Sequence, residues 1–116
     1  MNDTFEFSQD FEPFPEGLPR KAWQTRSLDC AMADYWVANN GRVARRQFLS
    51  DDYFASDTVC FTAYLFHSRK GVRFDLKIVV AHGRILGLRQ EREPEAGKTE
   101  DEWTIPVSGP DAERHD

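Results

Sequence analysis

From residue 72 to 80 the chain places an apolar side chain at every second position: Val72, Phe74, Leu76, Ile78 and Val80, with Arg73, Asp75 and Lys77 between them. Successive strand residues point to opposite faces, so this period commits the segment to a strand with one buried and one wet side. Ser68-Arg69-Lys70-Gly71 makes a turn before it and His82-Gly83 a tight turn after it. Glycine supplies the positive φ that tight turns require. Arg84-Ile85-Leu86-Gly87-Leu88 is the return strand. Upstream, residues 58 to 67 are apolar on both faces, with Val59, Phe61, Ala63 and Leu65 alternating with Cys60, Tyr64 and Phe66. That pattern predicts a central strand covered on both sides. Asn39-Asn40-Gly41 sits between Tyr35-Trp36-Val37 and Arg42-Val43-Ala44, a strong hairpin signal in which both turn positions are expected at positive φ. Residues 33 to 90 therefore read as an antiparallel meander. The fold class is all-β or β-rich α+β, a single small domain with a four- to six-stranded antiparallel sheet.

Other segments are less determined. Residues 50 to 56 read as a loop or one helical turn. In residues 27 to 35, Ser27 could cap a turn that puts Leu28, Met32 and Tyr35 on one face. Strand and short helix both fit that segment, with a strand followed by a turn preferred. From Glu91 the apolar pattern stops, which marks a linker or tail. Trp103-Thr104-Ile105-Pro106-Val107 is an apolar island within it. The island is expected to dock on the body or add an edge strand that Pro106 terminates. Residues 108 to 116 read as disordered.

Charge divides the chain more sharply than its net value of −5 suggests. Residues 1–19 carry five acids and no base. Residues 20–90 carry twelve Lys and Arg against six acids, and residues 91–116 carry three bases against nine acids. Three parts follow: an acidic Phe- and Pro-rich arm over 1–19, a β-rich body over 20–90 and an acidic tail over 91–116. The arm holds Phe5, Phe7, Phe11 and Phe14, with Pro13, Pro15 and Pro19 blocking a helix. These phenylalanines either fold back and cover the sheet or form a mobile arm that docks on a partner. Covering is favoured, because four exposed phenylalanines are a liability for a soluble chain.

Chemistry is conspicuous by what is missing. No run of about eighteen apolar residues is present, so no membrane span is expected. The N-terminus lacks the basic-then-apolar layout of a secretory signal, and a cytoplasmic setting follows as the expectation. Cys30 and Cys60 then read as reduced thiols, Cys60 as a buried inert one in mid-strand. The candidate metal ligands are Cys30, Cys60, His67, His82 and His115, and none forms the close pair that zinc sites use. Asp51-Asp52 and Glu100-Asp101-Glu102 lie in polar segments, where carboxylates keep their solvated acidity. No glycine-rich phosphate loop is present. No enzyme, metal or cofactor is expected.

Basic residues are the remaining resource. Arg42, Arg45 and Arg46 lie on one hairpin, and Arg69, Lys70 and Arg73 around another. With Tyr35, Trp36, Tyr64 and Phe66 nearby, such a sheet could bind single-stranded nucleic acid by stacking and phosphate contact.

The stretch Trp23-Gln24-Thr25-Arg26-Ser27-Leu28-Asp29-Cys30, then Tyr35-Trp36-Val37, Gly41-Arg42-Val43 and Gly83-Arg84-Ile85-Leu86, resembles a pattern in small uncharacterised proteins of bacteriophages, prophages and plasmids. The resemblance covers roughly residues 22–90 and carries over no functional residues. It implies a context, in which small acidic proteins of mobile elements bind and inhibit a host component. The resulting expectation is a non-enzymatic protein of the bacterial cytoplasm, bound to a host protein or ribonucleoprotein complex, with an anti-CRISPR role as the concrete version. Phe5, Phe7, Phe11, Phe14, Asp51 and Asp52 are its candidate partner contacts. Nucleic-acid binding by Arg42, Arg45, Arg46, Arg69, Lys70 and Arg73 is the alternative.

Overall fold

The computed structural model describes residues 2–12 and 14–94. The 103–107 island, the acids at 100–102 and His115 lie outside the described residues.

The alternating segment is strand β7 (Val72–Ala81), and it pairs in unbroken antiparallel register with β6 (Phe61–Arg69). Lys70 and Gly71 both take positive φ between them, as do His82 and Gly83 before β8 (Arg84–Arg89). These are the two-residue turns whose twist matches that of the flanking strands. A second antiparallel set is β3 (Asp34–Val37), β4 (Val43–Arg46) and β5 (Phe54–Ala55). Its first turn departs from expectation, because only Gly41 of Asn39-Asn40-Gly41 has positive φ. Ala38 N–H donates to Arg42 O, and Gly41 N–H to Ala38 O, both at 2.9 Å. The loop is thus three residues long, closed by a left-handed glycine rather than by a two-residue turn.

Between the two sets lie β1 (Asp3–Phe7) and β2 (Trp23–Thr25). The sheet order is β5-β4-β3-β1-β2-β6-β7-β8. The β1–β3 pair is parallel and all others are antiparallel. The expected four- to six-stranded antiparallel meander is therefore corrected to one eight-stranded mixed sheet, all-β among the described residues. The physical cause is the N-terminal segment. Asp3-Thr4-Phe5-Glu6-Phe7 alternates inward and outward, and it enters the middle of the sheet instead of lying outside it.

Phe5, Phe7, Phe11 and Phe14 are accordingly core residues. Phe11 and Phe14 return onto Phe7, with ring centroids 6.0 and 4.8 Å away. Arg20 ties that loop down, donating to Phe11 O at 2.9 Å with its guanidinium over the Phe14 ring. Residues 27 to 33 are neither strand nor helix. They cross from β2 to β3 over the start of β1, with positive φ at Cys30 and Met32. The buried Asp3 carboxylate holds this crossing by accepting the N–H groups of Cys30, Ala31 and Ala33 at 2.9–3.0 Å. Residues 50 to 56, expected as loop or helical turn, contain the short strand β5. Cys60 precedes β6 and is exposed, which corrects its reading as a buried mid-strand thiol.

The sheet curls until the start of β4 meets the start of β8. Arg42 and Arg84 form an antiparallel bridge, and Val43 N–H donates to Gly83 O at 2.8 Å. Ile85 N–H donates to Gly41 O at the same distance, and Gly83 N–H to Val59 O at 2.9 Å. Gly83 is the close-approach residue of this seam: its φ is +78°, and a Cβ there would overlap the Ser56 carbonyl oxygen. Among the described residues no helix is long and apolar enough to cross a membrane.

Candidate docking groove

One row of register partners runs from the core to the surface. Trp23 faces Phe5, Phe5 faces Tyr35, Tyr35 faces Arg45, and Arg45 faces Phe54. The Phe5 and Tyr35 rings stack with centroids 4.6 Å apart and planes 7° apart. Trp23 and Phe5 are fully enclosed, whereas Phe54 is 67% exposed. The change follows from position, because β5 ends the sheet and has no strand beyond it among the described residues.

Where this row reaches the surface there is a groove of about 600 Å³. Its apolar lining comes from Leu28, Tyr35, Val43, Phe54, Val59 and Phe61. Arg45, Asp29 and Gln47 supply its main polar groups. A smaller hollow of about 220 Å³, lined by Ala31, Arg45, Gln47 and Phe48, shares Arg45 and Gln47 with it. The Arg45 side chain thus stands between the two. Its Nε–H donates to the Tyr35 hydroxyl at 3.1 Å, and its Nη2 meets Asp29 Oδ2 at 3.2 Å. Burial pushes the Tyr35 phenol above its ordinary pKa, opposed by the positive charge and hydrogen bond of Arg45. Phe54 and Val59 of the groove and Phe48 of the smaller hollow are exposed, and Leu49 and Tyr53 are exposed in the same stretch of chain, Tyr53 on the other face of the sheet beneath the Arg46 guanidinium.

No family model, no curated protein and no solved structure matches this chain.

The residues singled out in the sequence are distributed unevenly about this groove. Phe5, Phe7, Phe11 and Phe14 are buried and offer a partner no surface. Asp51 and Asp52 are exposed, just before β5. Arg45 lines the groove, while Arg42 pairs with Asp57 at 2.8 Å beside the seam. Arg46 pairs with Asp34 at 2.6 Å on the opposite face of the sheet. There Thr4, Asp34 and Arg46 form their own row, and hydrogen bonds from Thr4 and Arg46 hold the Asp34 carboxyl below its ordinary pKa. Arg69 and Lys70 lie at the β6–β7 turn, where Arg73 pairs with Asp75 at 2.9 Å. β7 has ten residues, about 30 Å of extended chain, and it separates that turn from the seam that carries Arg42. The six basic residues therefore do not form one surface.

Leu28, Phe54, Val59 and Phe61 carry no site expectation in the sequence, and Tyr35 enters there only as a stacking aromatic. The only available signal was the apolar content of residues 48 to 59 beside polar neighbours, without a period to interpret it. Of the candidate metal ligands, Cys60 and His82 meet, the His82 backbone N–H donating to Cys60 Sγ at 3.4 Å, but among the described residues no group of three or more His, Cys, Asp or Glu could hold a metal ion.

Proposed function

We propose that this is a non-enzymatic binding protein that docks through the groove at β4 and β5 onto another protein. The observation that carries the proposal is the apolar surface there. Large side chains such as Phe54 and Val59 stay exposed at a concave apolar site, and that pattern marks interaction surfaces rather than ordinary soluble surface. The nucleic-acid alternative has less support, because Arg42, Arg45, Arg46 and Arg73 each already face a carboxylate.

The biological setting comes from the resemblance over residues 22–90 and not from the groove. It suggests a phage or mobile-element protein in the bacterial cytoplasm that occupies and inhibits a host complex, with an anti-CRISPR role as the specific version. Tagged full-length chain in lysate of infected cells should retain a defined host protein. A Leu49→Asp/Phe54→Asp variant with unchanged thermal unfolding should lose it. Equal capture by both chains would remove the groove from the function. For the specific version, expression in a CRISPR-immune host should restore plaque formation by the targeted phage, and unchanged immunity would exclude it.

A further inference from the structure

We infer that the groove takes an extended segment of a partner protein that carries a large apolar side chain and, two positions away, a carboxylate. This rests on the reading of the groove as a docking surface and assigns the chemistry of what docks there.

Three features converge on that occupant. The groove, at about 600 Å³, has the volume of a specific binding site and takes more than one large side chain. Beside it lies β5, the terminal strand of the sheet, and no backbone hydrogen bond leaves its outer edge among the described residues. An extended chain can pair with such an edge and turn alternate side chains into the neighbouring hollow. The third feature is Arg45. Its Nε is fixed by the Tyr35 hydroxyl, so the guanidinium is aimed before anything binds. Its Nη2 meets only the carboxylate of Asp29, which is 69% exposed, and its Nη1 has no hydrogen-bond partner among the described residues. A solvated carboxylate of that kind is held weakly and can be displaced. The fork then accepts an incoming carboxylate in the geometry that arginine suits best. In an extended segment, residues two apart project to the same side. An apolar side chain in the groove therefore brings its second neighbour to Arg45, which stands at the groove's polar side.

The test uses the full chain and two fluorescein-labelled, acetylated peptide amides, Thr-Trp-Thr-Glu-Thr and Thr-Trp-Thr-Lys-Thr, followed by anisotropy. The Glu peptide should bind saturably, and the Lys peptide about tenfold or more weakly, the effect of one charge-assisted hydrogen bond. Arg45→Gln should reduce binding of the Glu peptide by a similar factor and leave the Lys peptide no weaker. Arg45→Lys should recover only part, since it keeps the charge and loses the fork. Phe54→Asp should abolish binding of both. Thermal unfolding of each variant separates lost binding from lost fold. Equal affinity for the two peptides, or no saturation up to about 1 mM, would overturn the inference. So would concentration-dependent dimerisation of the chain abolished by Phe54→Asp, which would make a second copy the occupant. The lysate capture is read separately. A partner lost in the Leu49→Asp/Phe54→Asp variant, together with peptides that show no charge preference, would overturn this inference and leave the docking reading standing.

Discussion

The Arg45 Nε–H donates to the Tyr35 hydroxyl at 3.1 Å across the register pair that joins β3 to β4. This bond ties the core to the groove. Tyr35 is stacked on Phe5 behind it, and Arg45 faces the exposed Phe54 in front. Tyr35 is a buried residue, and Arg45 gives its partly buried hydroxyl a hydrogen-bond donor.

Tyr35 should make the protein sensitive to alkali. Burial raises its folded-state pKa above the ordinary value of 10.0. The unfolded chain then loses the phenolic proton first as pH rises. The contribution of Tyr35 is thus fully present below about pH 10 and is lost as pH climbs from there through the folded pKa. Denaturant midpoints measured from pH 8 to 11 should fall more steeply for the native chain than for Tyr35→Phe. Parallel curves would show that the phenol titrates freely.

Asp3 should be the costliest polar side chain to remove. It is fully buried, and it satisfies three backbone donors in a crossing that has two left-handed residues and no strand partner of its own. Asp3→Asn replaces one acceptor oxygen with a donor facing a donor. The expected loss is on the order of 3 kcal/mol, from weakened charge-assisted bonds and an unsatisfied buried N–H. Chemical denaturation checks the magnitude. Amide exchange at Cys30, Ala31 and Ala33 should accelerate beyond the global change, because the crossing opens first.

The elements legible in the sequence were those specified by neighbours in the chain. Val72 to Val80 alternate, and Lys70-Gly71 and His82-Gly83 bring turn chemistry, so the β6-β7-β8 meander follows from local rules. β1 carried the same alternation in Phe5 and Phe7, but its acidic, proline-dense surroundings suggested an arm. Its place depends on parallel pairing with β3, some thirty residues away, where Phe5 meets Tyr35. No local pattern encodes that register. The groove was hidden for the same reason, since Leu28, Tyr35, Phe54 and Phe61 belong to separate strands and loops that only curling brings together. β5, at two residues, is too short to display a period.

The two turn glycines Gly71 and Gly83 should separate backbone strain from crowding. Both have φ near +80°, but a Cβ at Gly71 would meet nothing within 4 Å, whereas at Gly83 it would overlap the Ser56 carbonyl. Gly71→Ala should cost about 1–2 kcal/mol, the left-handed penalty alone. Gly83→Ala should cost clearly more, because the overlap falls on backbone and the 56–59 loop must leave the seam. It should also disturb the groove, whose lining includes Ser56 and Val59. Equal costs in the two variants would mean that the seam is loose.

His67 should set the acid limit of stability. Its ring lies in the core between Trp23 and Phe74, with centroids 5.4 and 6.4 Å away, and its Nδ1 is buried without a hydrogen-bond partner among the described residues. Burial, reinforced by the positive charge of Arg69, lowers its folded-state pKa below the ordinary 6.5. The unfolded chain therefore takes up the proton first as pH falls. Stability from the neutral ring is complete above about pH 6.5, and it declines as pH drops from there through the folded pKa. Asp34 moves the same way at lower pH, beginning near its ordinary 3.8, since its folded pKa is also depressed. The two effects separate in a titration of unfolding free energy. His67→Leu should flatten the curve just below pH 6.5 and leave the fall below pH 4 in place, whereas Thr4→Val should soften only the latter. Loss of both slopes in the His67 variant would mean that the acid transition is one cooperative event centred on the core and not two independent protonations.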